Sequence, residues 1–131
     1  MYIGSKSSRL TMTSKFAALL LFLLAAIFPV HIKPDMVRFG VIHEFDPSRK
    51  DKVGVVDSKK VYMNIPPYKR IINEKIEKGS ALHTQLLAAA TTVYKNCIFK
   101  VGKSHYVLIV EKGGVKDYPT TNVTEQCIEA L

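Results

Sequence analysis

The stretch "FAALLLFLLAAIFPV", Phe16 to Val30, carries no charged or hydrogen-bonding side chain, and it decides how much of the chain is left to fold. Before it, Lys6, Arg9 and Lys15 stand without any acid, and the first carboxylate of the chain is Asp35. A basic lead followed by an apolar run is the pattern of a secretory signal peptide or a signal anchor. As a helix the run spans roughly 22 Å, against a hydrocarbon core of about 30 Å. Snorkelling of Lys15 and local thinning of the bilayer close that gap. Signal peptidase requires small residues one and three positions before the cut. After Ala25-Ala26 the chain reads Ile27, Phe28, Pro29, Val30, His31, Ile32, and no such pair occurs. We therefore expect residues 1–32 to be a basic cytoplasmic lead and a retained anchor, with Phe16, Leu20, Leu23, Leu24 and Phe28 in the membrane. The remainder is then exported. The alternatives are a cleaved, soluble exported form and a buried core helix; an acid-free basic lead speaks against the latter.

The whole chain of 131 residues has a net charge of +8, and beyond the lead sixteen Lys and Arg face eleven acids. Nine of the sixteen fall between Arg49 and Lys78, against four acids there. Beside a membrane such a segment touches anionic lipid or an acidic partner, or forms a solvated, mixed-charge surface. A nucleic-acid reader is not indicated, because the cations are interleaved with acids and no aromatic stacking set accompanies them. Two cysteines are present, Cys97 and Cys127. In an oxidising compartment they can pair, closing a loop of about thirty residues for about 3 kcal/mol of stabilisation. Each also lies on the apolar face of an expected helix, so two buried thiols is an equal reading. Their spacing makes no zinc pattern.

Residues 33–52 contain Pro34, Gly40 and Pro47 with both charge signs and read as a spacer, although "MVRFGVIHEF" has the makings of a short strand. Regular structure is expected over 53–131. Val53, Val55 and Val56 predict a strand near 53–58. Pro66-Pro67 opens a helix in which Tyr68, Ile71, Ile72 and Ile76 share one face, with Gly79 as its stop. Ser80 caps the next helix, whose stripe runs Leu82, Leu86, Ala89 or Ala90, Val93, Cys97, ending around Phe99 to Gly102. "HYVLIVE" is a continuous apolar run suited to a strand buried on both faces. Gly113-Gly114 turns the chain, a short partner strand can begin at Val115, and Asn122 with Glu125 resembles a capping box before a last helix. The expected class is a small α/β (α+β) domain of two to three strands and about three helices.

The stretch "VLIVEKGGV" completes no enzyme signature. A phosphate-binding loop needs its lysine after the glycines and a Ser or Thr next, whereas Lys112 precedes Gly113. No nucleophile elbow occurs. Ser104 and His105 are sequence neighbours, which places them on opposite faces of a strand. His31, His43, His83 and His105 are scattered without metal-ligand spacing. Asp57 stands near the end of the first expected strand, where ligand sites of α/β domains gather, but capping of the following turn accounts for it. No catalytic residue, cofactor or metal is expected.

Three segments carry a family resemblance. "VGVVDSKKVYMNI", "LHTQLLAAATTVYKN" and above all "HYVLIVEKGGVKDYPTTNVTEQCIEAL" resemble the opening strand, late helix and C-terminal strand-turn-helix of the periplasmic TrbI proteins of F-type conjugative transfer systems. The departures are Glu111-Lys112-Gly113 at the turn, Asn122-Val123-Thr124 at the cap, the two cysteines and Pro66-Pro67. "VGVVDSKKVY" is equally similar to the OmpH/Skp-like periplasmic chaperones, but only about forty residues separate Val61 from Gly102, too few for long paired helices. The first resemblance implies a non-enzymatic accessory component of a type IV secretion apparatus. It would be held in the bacterial inner membrane with its domain in the periplasm, and would contact other envelope proteins in pilus assembly or retraction. The second implies a chaperone for unfolded outer-membrane proteins. Neither implies catalytic residues, a small-molecule substrate or direct nucleic-acid binding.

Overall fold

A computed structural model describes residues 29–131. The expected anchor residues Phe16, Leu20, Leu23, Leu24 and Phe28 lie outside the described residues. Among the described residues no helix is long and apolar enough to cross a membrane. The described chain is a mixed α+β fold with four α-helices and two sheets.

In chain order the strands are β1 (His31–Ile32), β2 (Val37–Phe39), β3 (Val53–Val56), β4 (Leu108–Glu111), β5 (Val115–Lys116) and β6 (Thr121–Asn122). The helices are α1 (Ser58–Tyr62), α2 (Pro66–Asn73), α3 (Ala81–His105) and α4 (Thr124–Glu129). Four strands form one sheet in the order β2-β4-β3-β6. In it β3 runs parallel to both β4 and β6, and β2 runs antiparallel to β4. The pair β1-β5 makes a separate two-stranded ribbon.

The run "LIV" on β4 is fully buried on both faces, as its unbroken hydrophobicity predicts. Ile109 points into the helical side, among Val56, Val61, Ile65, Ala90, Cys97, Ile98, Val101 and Val123. Leu108 and Val110 point the other way with Val53, and their cover is Ile32, Met36, Val37, Phe45, Val115 and Tyr118. That second cover corrects the spacer assigned to 33–52. A strand buried on both faces requires two lids, and the segment 31–45 is one of them. Its β2 pairs with β4, Phe45 meets the Tyr118 ring edge-on at 5.0 Å, and Tyr118 donates a hydrogen bond to the Asp51 carbonyl at 2.5 Å. The segment 31–45 is therefore part of the folded domain.

Helix boundaries differ from expectation at two points. α2 stops at Asn73, six residues before Gly79. Lys75 turns left-handed (φ 50°), Ile76 N–H donates to the Ile71 carbonyl and Lys75 N–H to that of Ile72. These bonds form a Schellman ending. Ile76 thus belongs to the cap and not to the helix face, and Ile72 is exposed. α3 in contrast passes through Gly102 and ends at His105. Gly102 is buried under Phe39, where its missing side chain makes room for the ring. The expected strand from His105 accordingly shortens to Leu108–Glu111. Other local signals hold: Asp57 and Ser80 cap α1 and α3 with their side chains, and Pro66-Pro67 opens α2. The expected capping box is not formed: the N-cap of α4 is Val123 without a side-chain cap, and Asn122, one residue earlier, accepts the Thr124 N–H at 3.0 Å. β5 pairs with β1 and not with β4, and β6 was not anticipated.

Candidate protein-contact surface and the polar brace beneath it

The fully buried residues of α3 all lie in its later part. From Ala90 onward it buries Tyr94, Cys97, Ile98 and Val101. At helical spacing the same stripe continues toward the N-terminus as Leu87, Leu86 and His83. α2 packs against this helix. Of the expected stripe, Ala90 and Cys97 are buried, Leu86 and Val93 are half-buried, and Leu82 and Ala89 are exposed. Leu82 and Leu87 are each 38% exposed and Ile72 on α2 is 46% exposed. From Ser80 to Tyr94 the chain has no Asp, Glu, Lys or Arg. An exposed helix of about four turns without one charge is unlike a solvated face, which alternates charges to stay soluble. This hairpin end, α2 against the first half of α3, is the candidate contact surface.

The hairpin stands on a polar cluster at the carboxyl ends of β3 and β4. Glu111, the last residue of β4, accepts the Ser58 N–H at 3.0 Å and the Ser58 hydroxyl through its other oxygen. Tyr94 OH from α3 bonds the same Ser58 hydroxyl. Arg38 on β2 closes the set, with Nε 3.3 Å from Glu111 Oε2. Burial pushes the Tyr94 hydroxyl up to about 12, the bond to Ser58 opposing the rise. The neighbouring Tyr62 ring stacks on Tyr94 at 4.6 Å between centroids. Four elements, β2, α1, α3 and β4, are thereby tied by one carboxylate. The Glu111 oxygens are taken up by these bonds, and no side-chain polar atom buried among the described residues lacks a partner. Such a saturated network holds elements together.

Asp57, the residue at the strand end singled out from sequence, lines a cleft of about 100 Å³ with Lys60, Lys112, Asn122 and Thr124. Its carboxylate caps α1 by accepting the Lys60 N–H at 3.4 Å, and its own N–H donates to Thr124 Oγ1 at 3.0 Å. Thr124 is 3% exposed. A broader groove of about 840 Å³ lies between the 39–51 segment and the end of α3, with His43, Asp51, Lys103 and Tyr106 in its walls. Its Arg49 is engaged by Asp51 at 3.0 Å and Asp46 at 3.9 Å. The four histidines are not brought together. Among the described residues no three His, Cys, Asp or Glu side chains converge in a way that could hold a metal ion.

Cys97 and Cys127 are both free thiols and both buried. Of the two alternatives held open above, the structure describes the pair as thiols. Both belong to the main core cluster, where α3 packs against α4. The polar brace was not foreseen. Its one sequence signal, a Ser two residues after a strand end and a Glu at the end of a strand otherwise wholly apolar, is too common to stand out. Comparison of the chain with family models, curated proteins and solved structures gives no match.

Proposed function

We propose that this chain is a membrane-anchored accessory component of an envelope assembly of the F-type conjugative (type IV secretion) kind. In this reading it is not an enzyme, and it works in pilus assembly or retraction by binding other envelope proteins. The observation that carries the reading is the charge-free stretch Ser80–Tyr94 in the first half of α3, where Leu82 and Leu87 remain exposed, with Ile72 exposed on the neighbouring α2, on a firmly braced scaffold. Apolar side chains that the domain itself leaves uncovered gain their burial when a second protein covers them. The apolar run Phe16–Val30 supports placement at the inner membrane, and the strand-turn-helix at the C-terminus supports the family.

The test is an affinity capture from conjugating cells with the wild-type chain and with a Leu82→Ser, Leu87→Ser variant. Wild type should bring down envelope secretion proteins, and the variant should keep its circular dichroism spectrum yet lose them. Recovery in the cytoplasmic fraction, or equal capture by the variant, would reject the proposal.

A second reading, an OmpH/Skp-like chaperone, is favoured by one feature. The helical hairpin is inserted between two adjacent parallel strands, β3 and β4, in a chain whose opening "VGVVDSKKVY" is similar to that family. α3, at 25 residues, is about 37 Å long, but α2 has only 8 residues, so the paired part is short. Trimerisation of the soluble domain with suppression of outer-membrane protein aggregation would select this reading over the first.

A further inference from the structure

Between Glu77 and Glu111 the chain has no Asp or Glu, and Lys95, Lys100 and Lys103 fall on the second half of α3. All three lysines are exposed, and Lys95 and Lys103 stand one turn before and one turn after Phe99. The Phe99 ring is 57% exposed, more than any other large apolar side chain among the described residues. It lies on the outer side of the helix, away from the buried Tyr94, Cys97, Ile98 and Val101, with Lys103 Nζ 5.9 Å from its centroid. The next most exposed, Val41 at 51%, is two residues beyond Phe39, whose ring meets Phe99 at 6.1 Å. Glu44, Asp46 and Asp51 share the groove beside Lys103, but Arg49 holds both aspartates. None of the three lysines forms a salt bridge with an acid among the described residues.

We propose that this face of α3, Phe99 with Lys95, Lys100 and Lys103, docks on an anionic lipid bilayer. The proposal rests on the anchored placement given above, which brings a bilayer within reach. Phe39 is seven residues beyond Ile32, hence within about 25 Å of the strand that follows the apolar run. Cations and an aromatic ring on one helix face, without acids, make the pattern of a membrane-surface helix. Phosphate headgroups meet the ammonium groups, and the ring enters the headgroup boundary, where aromatic side chains settle. A solvated face carries acids among its cations, as α2 does where Arg70 Nε stands 2.7 Å from Glu74. The sign of the face thus matches a lipid surface of opposite charge. Phe99 lies about 25 Å along α3 from Leu82, so lipid and a protein partner are held at separate places.

The chain contains no Trp, so Phe99→Trp places a single reporter at the site. The full chain carrying it is reconstituted from detergent into vesicles of phosphatidylcholine, alone or with an equal part of phosphatidylglycerol. In the anionic vesicles its emission should move to shorter wavelength and be quenched by lipids brominated along their chains. In the neutral vesicles it should do neither. Salt at about 0.5 M should reverse the shift by screening. Lys95→Gln, Lys100→Gln and Lys103→Gln should each lower the ratio of docked to free about fivefold. The triple variant should lose the shift and keep its circular dichroism spectrum. Equal emission in the two kinds of vesicle, or a shift that the triple variant keeps, overturns the proposal. Flotation of the same samples separates docking from anchoring. A chain that floats with neutral vesicles and emits alike in both keeps the anchor and loses the docking face. A chain left behind by neutral vesicles, yet shifted and floated by anionic ones, keeps the face and loses the anchor.

Discussion

The Phe39 ring lies on the bare backbone of Gly102, so close that a Cβ built on the glycine would stand 2.4 Å from the ring. β2 and α3 meet at this point, and Phe99 adds an edge contact to the same ring at 6.1 Å.

Gly102→Ala tests which of two opposed effects governs the contact. Within a helix the change should stabilise by about 1 kcal/mol. The clash reaches the base of the ring as well as its edge, so Phe39 cannot swing aside without moving β2, and overpacking costs about 1–3 kcal/mol. We expect a net loss of stability in urea denaturation. In a Phe39→Ala background the sign should reverse, Gly102→Ala then becoming neutral or stabilising.

Tyr94 predicts an alkaline limb in the stability profile. Its folded pKa of about 12 lies above the ordinary value of 10.0, so the folded state holds the proton more tightly than the unfolded chain. The associated stability is fully present below about pH 10 and is lost as pH climbs toward 12. Tyr94→Phe should flatten that limb in melting curves recorded from neutral to alkaline pH. At neutral pH it should cost about 1 kcal/mol, since the Ser58 hydroxyl loses a partner.

Thr124→Val keeps the shape of a residue that is 3% exposed and deletes the oxygen that receives the Asp57 N–H. A part-buried amide without a partner costs about 1–3 kcal/mol. Thr124→Ser restores the acceptor and should recover most of the melting temperature, which a loss of packing alone would not allow.

A chain truncated to begin at Lys52 removes β2 and, with Ile32, Met36, Val37 and Phe45, much of the cover over Leu108 and Val110. It should lack a cooperative thermal transition and bind a hydrophobic dye, whereas a chain beginning at Pro29 should melt cooperatively. Cooperative unfolding of the shorter fragment would return 33–52 to the status of a linker.

Much of the fold was legible wherever a local cause acts alone. Asp57, Ser80 and Pro66 sit where their caps and fixed dihedrals require, and the apolar run of β4 is buried on both faces as its pattern demands. What escaped were features that depend on distant partners. Gly102 reads as a helix stop until Phe39, sixty-three positions earlier, is known to occupy the space above it. Residues 33–52 read as a spacer because their apolar side chains are thinly spread, yet those side chains supply the second lid that β4 needs. The stop of α2 is set by a left-handed lysine, a residue that carries no preference for that conformation. The candidate contact surface was hidden in its own periodicity: the α3 stripe marks an apolar face, but not which of its residues stay exposed. The brace unites four residues from four elements, and no local pattern announces it.

The ribbon β1-β5 joins His31 to Lys116 and Ile32 to Val115, so the first described strand is stitched into the body of the domain. If residues 16–30 are moored in a bilayer, no slack rope intervenes between mooring and domain. A pull from a growing or retracting partner would then travel through α3 and β4 to two pairs of residues at the membrane side. The chain would act as a stiff bracket and not a pendulum, and the tilt of its hairpin would be set by the mooring.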